Sequence, residues 1–341
     1  MAGGLVALAV LLPACRREVP LPTVARVGDA MGTTFSVAAW GRDSNRLARA
    51  VHAAFDSVRL VDSLLTLDRD ASEVSIVNRR GYGRPVSRAF AAVLDAALRV
   101  ARRSNGAFDP TQRNWRGVAF DSARGTVGLR RGLTLDFREI AKGYALDRAL
   151  LALRATADSA VLDFGGQYLI MTPETPAPGA GAGAGRQVGV ADPDNSLRAI
   201  AVIQLRPGIW SVSTASPAAQ VAPILDPRTG QPAARARSVT AVARDGLAAD
   251  AWATAFFVLG CDSALALAPQ LEGMGVLCVD DRVRWSADLD GQVALTTDSA
   301  VSAGTGPGRA PGRALPGARA ASGSTPQRAT PDSWRSRSRT S

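Results

Sequence analysis

Lys142 is the only lysine in a chain of 341 residues whose basic side chains number 40. Wherever a generic positive charge serves, this sequence uses arginine. Lys142 is therefore a candidate for work that a planar guanidinium does badly, such as presenting a compact ammonium with rotatable donors inside a tight polar site. The plainer alternative is a solvated surface lysine. Asp136 stands six positions before it and Gly143 directly after it, where a missing Cβ would let the backbone come close to a ligand. A carboxylate, an ammonium and a glycine around a helix start suit a phosphate and its metal ion.

A second pair lies further along. Asp250 and Thr254, four residues apart in a nearly all-apolar run, would share one face of a helix and point a carboxylate and a hydroxyl the same way. Paired oxygens of this kind suit Mg²⁺, which takes one or two protein carboxylates and completes its shell with phosphate and water. The alternative is local: Asp250 as a helix N-cap, and Thr254 as a core threonine bonded to its own helix.

These residues need elements to hold them. Arg26 to Trp40 alternates as two strands around a Met31-Gly32-Thr33 turn, and Ser44 to Leu67 carries Leu47, Val51, Phe55, Val58 and Val61 on one helical stripe. Arg88 to Arg103 reads as a helix stopped by Ser104-Asn105-Gly106. Ala141 to Leu151 is a third helix, and Ala248 to Leu259, ended by Gly260, a fourth. Val161 to Met171 reads as one buried strand interrupted by Gly165-Gly166. Further strands fall at Gln187 to Ala191, Ala199 to Leu205, Ile209 to Ser213 and Ser238 to Ala243, with a turn at Ile224 to Gly230. The glycines within 178–185 follow a proline-rich stretch and precede a strand, which is the wrong context for a dinucleotide loop and marks a flexible connection. Short strands clustered around turns, without regular βαβ alternation, predict an α+β fold with antiparallel-rich sheets and flanking helices. His52, the one histidine, has no evident partner in the sequence and reads as structural.

The formal net charge of +10 invites a nucleic-acid reading, but residues 303–341 hold seven arginines against one aspartate. The folded part is only mildly basic, and no nucleic-acid partner is expected. That tail, rich in Gly, Pro, Ser and Ala, is expected to be disordered and dispensable for ligand binding. At the other end, residues 1–15 form an apolar run closing on Leu12-Pro13-Ala14-Cys15, which resembles a bacterial lipoprotein signal with Cys15 as the lipidated residue. No Lys or Arg precedes the run, so an upstream start or a buried apolar N-terminus are the alternatives. A lipid on Cys15 would put the protein outside the cytoplasm, membrane-anchored and on the periplasmic side of a Gram-negative cell. There Cys261 and Cys278 could pair.

Seven blocks in order, from MGTTF at Met31 through LLTLDRDASEVSIVN, SNGAFDPT, LDFREIAKGYALDRA, LDFGGQ and ILDPRTGQPA to SVTAVARDGLAADAWATAFFVLG, resemble the ApbE-type FAD:protein FMN transferases. The match spans about Met31 to Trp285, within a domain placed at 24–300. The resemblance implies a two-lobed fold with FAD in the cleft. It also implies Mg²⁺-dependent transfer of FMN from FAD to a threonine of an acceptor protein, with release of AMP. By position it implies FAD contacts at Met31, Ala107, Phe108, Asp109, Asp136, Lys142 and Leu225. Mg²⁺ would be held by Asp250, Thr254 and the main-chain carbonyl of Glu139. The chain departs from the family at three places. Pro223 stands where a histidine able to take the threonine proton is common, leaving Asp250 as the nearest carboxylate for that role. Leu67 stands where an aromatic could stack on the flavin. Arg138-Glu139 replaces the usual glycine or serine pair before IAKG. The resemblance leaves open an FAD pyrophosphatase giving FMN and AMP, or a flavin-binding lipoprotein without turnover.

Overall fold

The computed structural model describes residues 21–81, 83–174, 186–217 and 223–296. The lipoprotein-type segment, the glycine-rich connection and the arginine-rich tail lie outside them. Strands β1 (Thr23–Ala30) and β2 (Thr33–Trp40) lead into α1 (Ser44–Leu65), α2 (Glu73–Arg80), β3 (Arg84–Pro85) and α3 (Arg88–Arg103). Next come β4 (Val118–Asp121), β5 (Thr126–Leu129) and α4 (Arg138–Leu153). Strands β6 (Ser159–Phe164), β7 (Gln167–Met171), β8 (Gln187–Asp192), β9 (Asn195–Gln204) and β10 (Ile209–Ala215) follow. The chain continues through β11 (Leu225–Asp226), β12 (Gln231–Pro232), β13 (Ser238–Ala243), α5 (Gly246–Leu259) and α6 (Cys261–Leu267). It closes with β14 (Gly275–Val279), β15 (Val283–Trp285) and β16 (Val293–Leu295).

One eight-stranded sheet, ordered β1-β2-β6-β7-β10-β13-β14-β15, organises the molecule. Every neighbouring pair in it is antiparallel, as an α+β fold requires. Its helical face is built by alternation: Phe35, Val37 and Ala39 of β2 pair across to Phe164, Leu162 and Ala160 of β6, and all six are buried. Phe35 packs on Phe55 of α1 with ring centroids 4.7 Å apart, so the α1 stripe closes the main core over this half of the sheet. A smaller core lies on the opposite face. There Ile170, Val212, Val242 and Leu277 meet Val188, Val190, Ala201 and Ile203 of the three-stranded sheet β16-β9-β8. β13 and β14, SVTAVA and GVLCV, are buried at every position, and burial from both sides explains why they carry no charged residue. α5 is buried on nearly every face, which is why its sequence shows no polar stripe.

Val161 to Met171 is not one interrupted strand. Gly165 (φ 61°) and Gly166 (φ 88°) form a two-residue hairpin turn, with Phe164 paired to Gln167 on either side. Such a turn needs positive φ at both positions, which glycine supplies without strain. α4 also begins three residues before the expected start, at Arg138.

Cys261 and Cys278 form a disulfide joining α6 to β14, and both are buried. Their separation of 17 residues closes a loop whose constraint on the unfolded chain is worth about 3 kcal/mol. The double alanine variant should lose roughly that much unfolding free energy in urea titration. An unchanged midpoint and slope would show that the bridge does not stabilise the fold.

Candidate active site

The site is set by the crossing of α4 and α5. A Cβ added to Gly143 would lie 2.1 Å from the carbonyl oxygen of Gly246, and one added to Gly246 would lie 2.4 Å from that of Gly143. Gly143 therefore serves helix–helix contact rather than the approach of a ligand, a correction to the sequence reading. The start of α5 is capped twice. Asp245 accepts the Ala248 N–H at 2.7 Å, while Asp147 of α4 accepts those of Gly246 at 2.6 Å and Leu247 at 3.0 Å. These bonds satisfy donors that a helix N-terminus leaves open. Burial pushes the Asp147 carboxyl up to about 7, against the pull of its two backbone donors.

The close crossing brings four of the expected residues together. Asp250, 6% exposed, accepts the Gly143 N–H on Oδ2 at 2.9 Å, and Oδ1 faces Ser213 Oγ at 3.5 Å. Burial raises its carboxyl above the usual range, with the charge of Lys142 as the chief opposing influence and Glu139 adding to the rise. Asp250 is not an N-cap, because Asp245 holds that position. Thr254 does not bond to its own helix either. Its Oγ1 donates across the crossing to Glu139 Oε2 at 3.1 Å. Lys142 is half-buried and electrostatically coupled to Asp250, which rules out a freely solvated lysine. Two carboxylates and a hydroxyl at this partly buried crossing form a hard-oxygen donor set that fits Mg²⁺, and the Lys142 ammonium acts on the same Asp250 carboxylate.

The other expected residues lie in separate groups. Met31, at φ 48°, and Gly32, at φ 72°, form the tight β1–β2 turn. Positive φ is uncommon for methionine and holds the side chain in an imposed position. The neighbouring β6–β7 turn lies against it, with no room for a Cβ between Gly165 and Thr33. Gln167, just past that turn, donates through Nε2 to the Gly246 carbonyl at 2.9 Å and so ties the start of the central strand β7 to the crossing.

Ala107, Phe108 and Asp109 are buried. Both Asp109 oxygens are committed to their own loop, one taking the Thr111 N–H and hydroxyl at 2.7 Å each and the other the Trp115 N–H at 2.9 Å. The Asp136 N–H donates to the Pro110 carbonyl at 2.7 Å, and its carboxylate is held by the Arg138 guanidinium at 2.6 Å. Leu225 is 40% exposed in the β11–β12 hairpin. Arg228 of the same hairpin and the Trp115 indole both approach Gly106. Pro223 and Leu67 are exposed. Two buried polar atoms here, Trp115 Nε1 and Gln167 Oε1, have no hydrogen-bond partner among the described residues and could serve a bound ligand.

A family model described as the ApbE family matches residues 31–119 and 111–278. The chain belongs to the ApbE family. A curated ApbE relative, the FAD:protein FMN transferase of Treponema pallidum, is 29% identical over 306 residues, covering 74% of this chain and 84% of the relative. The crystal structure of the ApbE protein of Thermotoga maritima superposes with a TM-score of 0.69 at 24% identity, covering 80% of this chain and 99% of that one. The flavin transferase ApbE of Vibrio cholerae does so at 0.66 and 20% identity, over 80% and 100%. These two likenesses establish an ApbE fold.

Three contributors to this ApbE site escaped sequence reasoning. Asp147 shows only as a carboxylate four residues after Gly143, on the face that meets α5. Gln167 follows the paired glycines at a sheet end, and its partner is 79 residues away. Asn78 of α2 exchanges two hydrogen bonds with the Leu135 backbone, at 2.9 and 2.7 Å, and nothing in the sequence announces it. His52 does have a carboxylate neighbour, Asp56, one helical turn on at 3.0 Å, but the pair is exposed on α1.

Proposed function

We propose that this chain transfers FMN from FAD to a threonine hydroxyl of an acceptor protein, in a Mg²⁺-dependent reaction that releases AMP. The observation that carries the reading is the convergence of Asp250, Thr254, Glu139 and Lys142 at the α4–α5 crossing. The threonine oxygen would form a new bond to the phosphorus of the FMN half as the bond to the bridging pyrophosphate oxygen breaks. Mg²⁺ bound there would neutralise the pyrophosphate and stabilise charge developing on the transferred group. Asp250, Thr254 and Glu139 would hold the ion, Lys142 would add a second positive contact to the phosphates, and Asp250 would also accept the threonine proton. Met31, Ala107, Phe108, Asp109, Asp136 and Leu225 complete the proposed FAD contacts. Ala107 and Phe108 would contribute main-chain atoms, because their side chains belong to the core.

The disulfide supports an extracytoplasmic location, since such bridges persist in oxidising compartments. A lipid on Cys15 would supply the membrane anchor. Incubation of the protein with FAD, Mg²⁺ and a threonine-containing acceptor peptide, read by mass spectrometry, tests the reading. The expected result is an acceptor heavier by one FMN, with AMP in solution. Free FMN with an unmodified acceptor would mean a pyrophosphatase, and intact FAD would mean a binding protein.

A further inference from the structure

We propose that Glu139 supplies its side-chain carboxylate, and not only its main-chain carbonyl, to the divalent cation. The inference rests on the Mg²⁺ reading given above and concerns the position where the resembling proteins carry glycine or serine. Glu139 stands in the first turn of α4, and its Oε2 lies 3.1 Å from Thr254 Oγ1 on α5. A hydroxyl that ligates a cation through a lone pair must direct its proton elsewhere, and here the proton points to Glu139. The carboxylate is thereby brought alongside an oxygen of the cation site, one α5 turn from Asp250, whose carboxyl already feels its charge. Glu139 places a second carboxylate beside that of Asp250, where glycine or serine at position 139 would place none.

That difference has two consequences of opposite sign. Cation affinity rises with the number of charged ligands, and the pyrophosphate of FAD is repelled from the site until a cation is bound. The protein should therefore bind FAD weakly in chelator and tightly with Mg²⁺. Glu139→Gln is isosteric and still accepts the Thr254 proton, so a merely structural role predicts no change in either measurement.

The test is Mn²⁺ binding to the FAD-free full chain, followed by the loss of the free-ion paramagnetic resonance signal, in the parent, Glu139→Gln and Asp250→Asn. FAD titrations in chelator accompany it. The expected result is Mn²⁺ affinity weakened about tenfold or more in Glu139→Gln, with metal-free FAD affinity improved. Loss of Mn²⁺ binding in Asp250→Asn alone would overturn the role of Glu139 and leave the cation site standing. Identical Mn²⁺ binding in all three proteins would remove the cation site itself, and this inference with it.

Discussion

Asp250→Asn should abolish FMN transfer without unfolding the protein. The carboxylate is buried at the α4–α5 crossing, where it accepts the Gly143 N–H. Asparagine keeps the volume and one accepting oxygen for that bond, so the crossing survives. It removes the charge on which a cation depends. Loss of a group that merely supports a metal ligand costs roughly 10- to 100-fold, and loss of the ligand itself should exceed that. Stability should not fall, because burial already disfavours the charged form of Asp250, and the substitution replaces a costly buried charge with a neutral amide. The experiment measures transfer rate against Mg²⁺ concentration together with the melting temperature of each protein. A near-normal rate with unchanged Mg²⁺ dependence would remove Asp250 from the site. An N-cap role is no longer available as the explanation of any loss, since Asp245 holds that position.

The elements were legible where local chemistry marked their ends. α3 runs from Arg88 to Arg103 as its sequence predicts, because Ser87 caps the Phe90 N–H at one end and Asn105 and Gly106 turn left-handed at the other. The start of α4 is unmarked in the sequence, because no side chain caps it. The nearby Asp136 carboxylate instead takes the N–H and guanidinium of Arg138 from outside the helix. Val161 to Met171 reads as one strand because apolar residues stand on both sides of the glycine pair.

The site divides in the same way. Asp250 and Thr254 share a face by helical periodicity alone, so they could be paired from spacing. The Thr254–Glu139 bond spans 115 residues and the Gly143–Asp250 bond 107, so neither leaves a local signature. Spacing likewise shows the carboxylate of Asp109 but not that its own loop consumes it.

Gly143→Ala should be the most damaging single-methyl change in the described part of α4. The added carbon would sit 2.1 Å from the Gly246 oxygen, 2.5 Å from its carbonyl carbon and 2.8 Å from Asp250 Cβ, all inside the 3.4 Å at which ordinary contact begins. Two of these three atoms are backbone at the doubly capped start of α5, so no side-chain rotation relieves the clash. The helices must part or α5 must shift along its axis. Alanine favours a helix interior over glycine by about 1 kcal/mol, and overpacking of this kind costs roughly 1 to 3 kcal/mol or more, so the balance is a net loss of stability. The functional cost is larger, because the same separation pulls Thr254 away from Glu139 and Asp250 away from the Gly143 N–H. The expected outcome is a lowered melting temperature together with loss of Mn²⁺ binding. If Gly143 instead served the close approach of a ligand, the variant would melt normally and lose only FAD affinity. A normal melt with intact Mn²⁺ binding would show that the crossing tolerates a methyl group and that its closeness does not position the site.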